Sequence, residues 1–228
     1  MPHLDRLAWP ALERRPGAVL LVPVGATEQH GPHLPLTVDT DIAVCLARLA
    51  AERRPDALVA PPVAFGSSGE HQAFPGTLSI GRRATELLLI ELVRSATESV
   101  PRVLLVSTHG GNADAVNRAV RVVRSEGRDA RAWTPGWTGD AHAGRTETSV
   151  MLSIAPERVD VSAATGGATA PIEELLPQLE RQGVRRVSAN GVLGDPAGAS
   201  ADEGSRLLAE ATGRLLVLLE RWIGRPVP

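Results

Sequence analysis

Two short, almost wholly apolar runs constrain the fold most: AVLLVPV at 18–24 and VLLVS at 103–107. A strand with no alternation of apolar and polar residues must be covered on both faces, the condition of a parallel sheet clothed by helices. The first run leads into 25–40, GATEQHGPHLPLTVDT, too rich in Gly and Pro for regular structure. Helical spacing follows over 41–54, where Ile42, Leu46, Leu49 and Ala50 share a face. Thr40 or Asp39 is placed to cap this helix, and Pro55 follows its end.

The same unit then repeats. Residues 57–64 are a second apolar strand, which Pro61 and Pro62 make either an edge strand or one that ends early. A loop over 65–82 precedes a helix over 84–99 that carries Leu87, Leu88 and Leu92. The third strand, 103–107, is followed by THGGN and a helix near 112–126. ARAW at 130–133 is a fourth strand, with a loop and a helix near 144–154 behind it. Residues 156–200 are Pro/Gly-rich and read as irregular, and 200–222 form a closing amphipathic helix. Strand–loop–helix alternation predicts an α/β protein with a mainly parallel sheet. A length of 228 residues, without a linker or internal repeat, predicts a single domain over 1–228.

Absences narrow the chemistry. The chain has no Lys and no Tyr, so a P-loop lysine, a Schiff-base lysine and a tyrosine nucleophile are excluded. Its single Cys45 supports neither an intrachain disulfide nor a multi-cysteine zinc site. Basic and acidic residues number 24 and 26, a net charge of −2 that gives no expectation of nucleic acid or an anionic membrane as partner. No apolar run is long enough to span a bilayer and the N-terminus lacks a signal-peptide pattern, so the expected location is the cytoplasm.

What remains is imidazole and carboxylate. Five of the six histidines fall in loops that follow strands, with Glu28, His30, His33 and Asp39 in one loop. Glu70 and His71 stand in the next, His109 and Asn112 in a third, and His142 and Glu147 in the fourth. Loops beyond the carboxyl ends of parallel strands build the sites of open α/β sheets. Glu28 and His30, two apart in extended backbone, point to one side and suit a shared metal. Taken singly, Asp39 is equally a helix-start carboxylate and His30 a loop histidine bonded to backbone. The gathering of four such loops at one sheet edge favours a site. His109 in a Gly-flanked loop fits a metal ligand better than a phosphate turn, because the glycine fingerprint is missing. Two His and three carboxylates suit Zn²⁺, Mn²⁺ or Fe²⁺ and suffice for two ions. Glu70, His71 and Asn112 are candidate pocket residues; Trp137 could stack on an aromatic end residue and Arg145 could bind a terminal carboxylate. A non-catalytic metal-binding protein and a nucleotide-binding module are the competing classes.

At these residues the sequence resembles a known family. PVGATEQHGPHLPLTVDTD is similar to the signature of the creatininase family of metal-dependent amidohydrolases. GSSGEHQAFPGTLSIG, THGGN and AHAGRTETSVML resemble its later blocks in the same order. The resemblance implies a three-layer α/β/α fold with one or two divalent metal ions per subunit (Zn, Fe or Mn). Its ligands would be Glu28, His30, a bridging Asp39 and His109. Glu147 would join the metal and catalytic set, and His142 would be the proton shuttle. In creatininase another carboxylate ligand lies two residues after the histidine matching His109; here that position is Gly111, which leaves the second metal one ligand short unless Glu147 supplies it. Within the family, GSSGEHQAFPGTLSIG, DAHAGRTETS and NGVLGDP resemble the mycofactocin-system branch. That likeness implies a homo-oligomeric peptidase whose partner is a modified precursor peptide of a redox cofactor. The alternative is a hydrolase of a cyclic amide or formamide.

Overall fold

A computed structural model describes residues 3–224. After a short helix α1 (Trp9–Glu13), the chain alternates strand and helix. The strands are β1 (Val19–Val24), β2 (Ala57–Val59), β3 (Arg102–Ser107) and β4 (Asp129–Trp133). The helices between and after them are α2 (Val38–Arg53), α3 (Arg82–Ala96), α4 (Ala113–Ser125) and α5 (Arg145–Ile154). Two further helices, α6 (Ile172–Gln182) and α7 (Val184–Val187), precede the long α8 (Ala201–Ile223).

The strands form one parallel sheet in the order β2-β1-β3-β4, with Val19 opposite Arg102 and Val24 opposite Ser107 in the central pair. Successive residues of the apolar strands feed opposite faces. Val19, Leu21, Leu104 and Val106 pack under α2, α5 and α8 with Ile42, Leu46, Met151 and Leu215. Leu20, Val22, Val103 and Leu105 pack under α3 and α4 with Leu89, Val93, Val116 and Val123. This is the expected three-layer α/β architecture, and the strands lack alternation because both faces are core. Truncating one of these leucines to Ala would cost about 2–5 kcal/mol.

Element boundaries and faces depart from the sequence reading in places. β2 is indeed an edge strand, and it ends at Val59, before Pro61 and Pro62. α2 begins at Val38 rather than 41, so Asp39 is not a cap but lies inside the first turn behind Thr37. On α3 the core face is Leu89, Ile90 and Val93, while Leu87 and Leu88 are exposed. The largest departure lies in 156–200, which contains α6 despite Pro177 in its interior. Leu175 and Leu179 of α6 pack on Val184 and Leu193, and this tertiary burial overrides the cost of the lost backbone bond. Among the described residues, no helix is long and apolar enough to cross a membrane.

Candidate metal centre

The strand order reverses direction between β1 and β3, and ligands of open α/β sheets bind at such a switch point. Glu28 and His30 leave β1, and His109 leaves β3 beside them. Asp39 is delivered by the first turn of α2. Its backbone carbonyl accepts from Thr108 Oγ1 at 2.6 Å, and the neighbouring Thr40 Oγ1 donates to the Ala26 carbonyl at 3.0 Å. Gly25 allows this close approach, since a Cβ there would lie 2.5 Å from the Thr40 Cα. Glu147 sits in the first turn of α5 and accepts the Ala143 N–H at 2.6 Å. Ala143 holds φ of 54°, an unusual left-handed value for a residue with a side chain, and it is this turn that separates His142 from α5.

The structure brings Glu28, His30, Asp39, His109 and Glu147 into two sets that share Asp39, and a third set joins Glu28 and His30 to His142. Donor atoms of Glu28, Asp39 and His109 lie within 4.8 Å of one another, as do those of His30, Asp39 and Glu147. Asp39 Oδ1 is 3.8 Å from His30 Nε2, and Oδ2 is 3.4 Å from His109 Nδ1. Each imidazole is turned by its other nitrogen. His30 Nδ1 lies 3.1 Å from the Glu28 carbonyl, and His109 Nε2 lies 2.9 Å from the Ser67 carbonyl. With protons on those nitrogens, His30 Nε2 and His109 Nδ1 present lone pairs inward, the arrangement metal-binding histidines adopt.

The donor set fits a cation on a direct observation. Glu28 Oε1 and Oε2, Asp39 Oδ2 and His30 Nε2 are buried and have no hydrogen-bond partner. Buried polar atoms are nearly always paired, and buried charges are paired or bind metal. In the protein alone, protons answer the same demand. Burial opposes a charge on His30, yet Asp39, Glu147 and Glu28 outweigh it and raise the imidazole to about 10. Burial pushes Glu28 up to about 7 against the pull of His109, and burial raises Glu147. Burial also works against ionised Asp39, but His30 and His109 hold it below its ordinary value.

His142 lies beside this centre, its Nδ1 3.7 Å from Glu28 Oε1. Its Nε2 is 2.8 Å from the Gln29 carbonyl, which fixes the proton there and leaves a lone pair on Nδ1. Burial and the neighbouring His30 and His71 keep it neutral, well below the usual imidazole value. His71 is lowered to about 3 by burial, His30 and His109. Its Nδ1 meets the Gln29 side-chain amide at 2.8 Å, so its Nε2–H points to Glu28 Oε1 at 3.5 Å. Sequence reasoning overlooked Gln29, whose amide also reaches the Gly191 carbonyl at 3.1 Å. The available signal was its place between Glu28 and His30, where a buried amide must find partners.

The centre opens on a cavity of about 1150 Å³. Glu28, Glu70, His71, His109 and His142 line one part, while Ile172, Leu176 and Leu179 of α6 form an apolar wall. Three proposed substrate residues are not on this wall. Asn112 is fully buried; its Oδ1 accepts the Ser67 N–H at 2.8 Å and its Nδ2 donates to the Gly25 carbonyl at 2.9 Å. Arg145 reaches away to α8, donating to Glu203 Oε2 at 2.7 Å. Trp137 packs against the core under α2, α5 and α8. The structure thus places these three side chains off the cavity lining and in contact with distant segments of the scaffold.

The chain matches the creatininase family, described as creatinine amidohydrolase, over residues 5–219. It belongs to the creatininase family. A mycofactocin precursor peptide peptidase of Mycolicibacterium smegmatis is 50% identical over 211 residues, 90% of this chain and 85% of that one. The Mycobacterium ulcerans protein of the same name is 47% identical over 232 residues, 96% of this chain and 88% of its own. Among solved structures, a creatininase described with Mn superposes with a TM-score of 0.82 at 25% identity, covering 98% of this chain and 99% of that one. The creatininase neighbour thus carries manganese by its description, on the fold found here. As a family member this chain is a metal-dependent hydrolase, and the fold and donor set agree.

Proposed function

We propose that this protein is a metal-dependent peptidase that removes a C-terminal fragment from the modified mycofactocin precursor peptide. The observation that carries the reading is the cavity: a buried imidazole–carboxylate centre opens on about 1150 Å³ with an apolar helical wall. Small-molecule pockets run to about 300–1000 Å³, so a cavity of this size has room for a peptide segment. The names of the two mycobacterial relatives support the substrate.

Glu28, Asp39 and His109 would hold one divalent ion, and His30, Asp39 and Glu147 a second. Zn, Fe and Mn all suit this donor set. When bound, such an ion supplies Lewis acidity toward a carbonyl oxygen and toward water. The chain's own part is to move a proton. His142 is neutral, with Nδ1 free, so it accepts a proton there and returns it to the departing amine nitrogen. Gln29 keeps the ring in this tautomer, and His71 lies beside Glu28 with its Nε2 3.5 Å from Oε1. The α6 wall excludes water from the apolar part of the peptide, and Glu70 and His71 face the chain near the scissile bond.

The whole chain acts as one hydrolase domain, supported by the family match over 5–219 and by cores on both faces of one sheet. We read its setting as cytoplasmic and its state as a homo-oligomer, and for the latter exposed Phe65, Leu78 and Leu87 are apolar groups available to contact between copies. The test incubates metal-loaded protein with a precursor peptide ending in an aromatic residue, and with creatinine in parallel, followed by mass spectrometry. Release of a short C-terminal fragment is expected. Hydrolysis of creatinine with the peptide intact would overturn the reading in favour of a small-molecule hydrolase.

A further inference from the structure

Gly111 stands where the family likeness calls for a carboxylate two residues beyond His109. Its backbone does not ask for glycine, for it is not among the residues in the left-handed region. Space does. A Cβ at Gly111 would lie 2.3 Å from the Ser67 carbonyl oxygen, 2.5 Å from His109 Nε2 and 2.6 Å from Glu70 Oε1. Glu70 therefore carries its carboxylate into the volume that a side chain at 111 would fill. It arrives from another strand's loop, on the 3-10 turn Gly69–His71.

Two further observations bear on what that carboxylate does. Glu70 lines the cavity together with Glu28, His109 and Gly111. Glu147 supplies the second ion's set with His30 and Asp39, whereas position 111 adjoins His109 Nε2, so it is the Glu28–Asp39–His109 side that Gly111 leaves without a further carboxylate. The side of the centre nearest Gly111 would otherwise face the cavity with no acidic group beyond Glu28 and Asp39.

We propose that Glu70 replaces, from a different loop, the acidic group this chain lacks at Gly111, and acts as a positioning residue that strengthens metal binding on the Glu28–Asp39–His109 side. Glu70 lies outside the sets of donor atoms within 4.8 Å of one another, so it acts through its field and a bridging water rather than as a direct ligand. A side chain at 111 would first meet the Ser67 carbonyl oxygen and His109 Nε2, and a carboxylate there would add like charge beside Glu70 Oε1. With glycine at 111, the loop after β2 provides the acidic group on this side.

This inference rests on the metal-dependent reading above, and its test uses no peptide, so the two can fail separately. Apo protein prepared by chelation is titrated with Zn²⁺, and separately with Mn²⁺, against a chromophoric chelator. The variants are Glu70→Gln, which keeps shape and removes charge, Glu70→Ala, and Glu180→Gln, an acidic control on the same cavity. Carboxylates acting from outside the ligands are worth about 10–100-fold in metal affinity. Both Glu70 variants should therefore bind at least one of the metals about tenfold more weakly or worse, with Glu180→Gln within about twofold of the parent. Parent-like affinity for both metals in either Glu70 variant would overturn the proposal. An equal loss in Glu180→Gln would overturn it too, because cavity charge in general would then be the cause. Failure of peptide cleavage in the parent protein, with the Glu70 effect intact, would sink only the substrate reading.

Discussion

Replacing Asn112 by Ala separates a scaffold role from a substrate role at the residue where sequence and structure disagree most. The Asn112 amide ties two site loops together, accepting from Ser67 N–H at 2.8 Å and donating to the Gly25 carbonyl at 2.9 Å. The first loop carries Glu70 and His71, the second Glu28 and His30. The side chain and its bond to Gly25 are fully buried, while the bond to Ser67 is part-buried beside the cavity, where water can replace it. Orphaning a buried partner costs about 1–3 kcal/mol. One buried orphaned group therefore brings Asn112→Ala to about 2 kcal/mol. For a chain of this size each kcal/mol lowers Tm by about 2–4 °C, so a fall of about 4–8 °C is expected. Thermal unfolding followed by circular dichroism measures the shift, and urea unfolding checks it at constant temperature. An unchanged Tm together with a raised KM for the peptide would refute the reasoning and return Asn112 to the substrate.

His30→Ala removes the nitrogen that faces Asp39 and Glu147, and elemental analysis should show most of the metal gone; unchanged metal content would remove His30 from the ligand set. His142→Ala should keep metal and fold yet lose about 10²-fold or more in turnover, whereas loss of metal with the side chain would make it a ligand. Acidification should release metal, because His30, His109 and the three carboxylates bind it only unprotonated and protons compete for the same lone pairs. The sign is fixed: occupancy measured by dialysis at stepwise lower pH must fall, and a rise or a flat profile would contradict an imidazole–carboxylate centre.

The sequence by itself determined the layers and the chemistry available to them. Unbroken apolar runs at β1 and β3 can only be strands covered on both sides, and Leu20 and Leu21 duly enter opposite cores. Lys and Tyr are absent and histidines crowd the loops after strands, so imidazole and carboxylate had to carry the chemistry. The long motif around Glu28, His30 and Asp39 was legible because its residues are close in the chain. Tertiary structure decided what depends on partners far apart in sequence. Asn112 and Arg145 carry the same polar groups a substrate contact would use, and only the folded chain shows Gly25, Ser67 and Glu203 already holding them. Helix α6 was hidden because local propensity counts Pro177 against it, while burial of Leu175 and Leu179 against Val184 and Leu193 outweighs that cost. The exchange between Glu70 and Gly111 joins positions 41 residues apart (111 − 70) on neighbouring loops, a relation of shape that no local pattern contains. Sequence spacing fixes which side chains can share a face within one element; the strand order β2-β1-β3-β4 fixes which loops share a site.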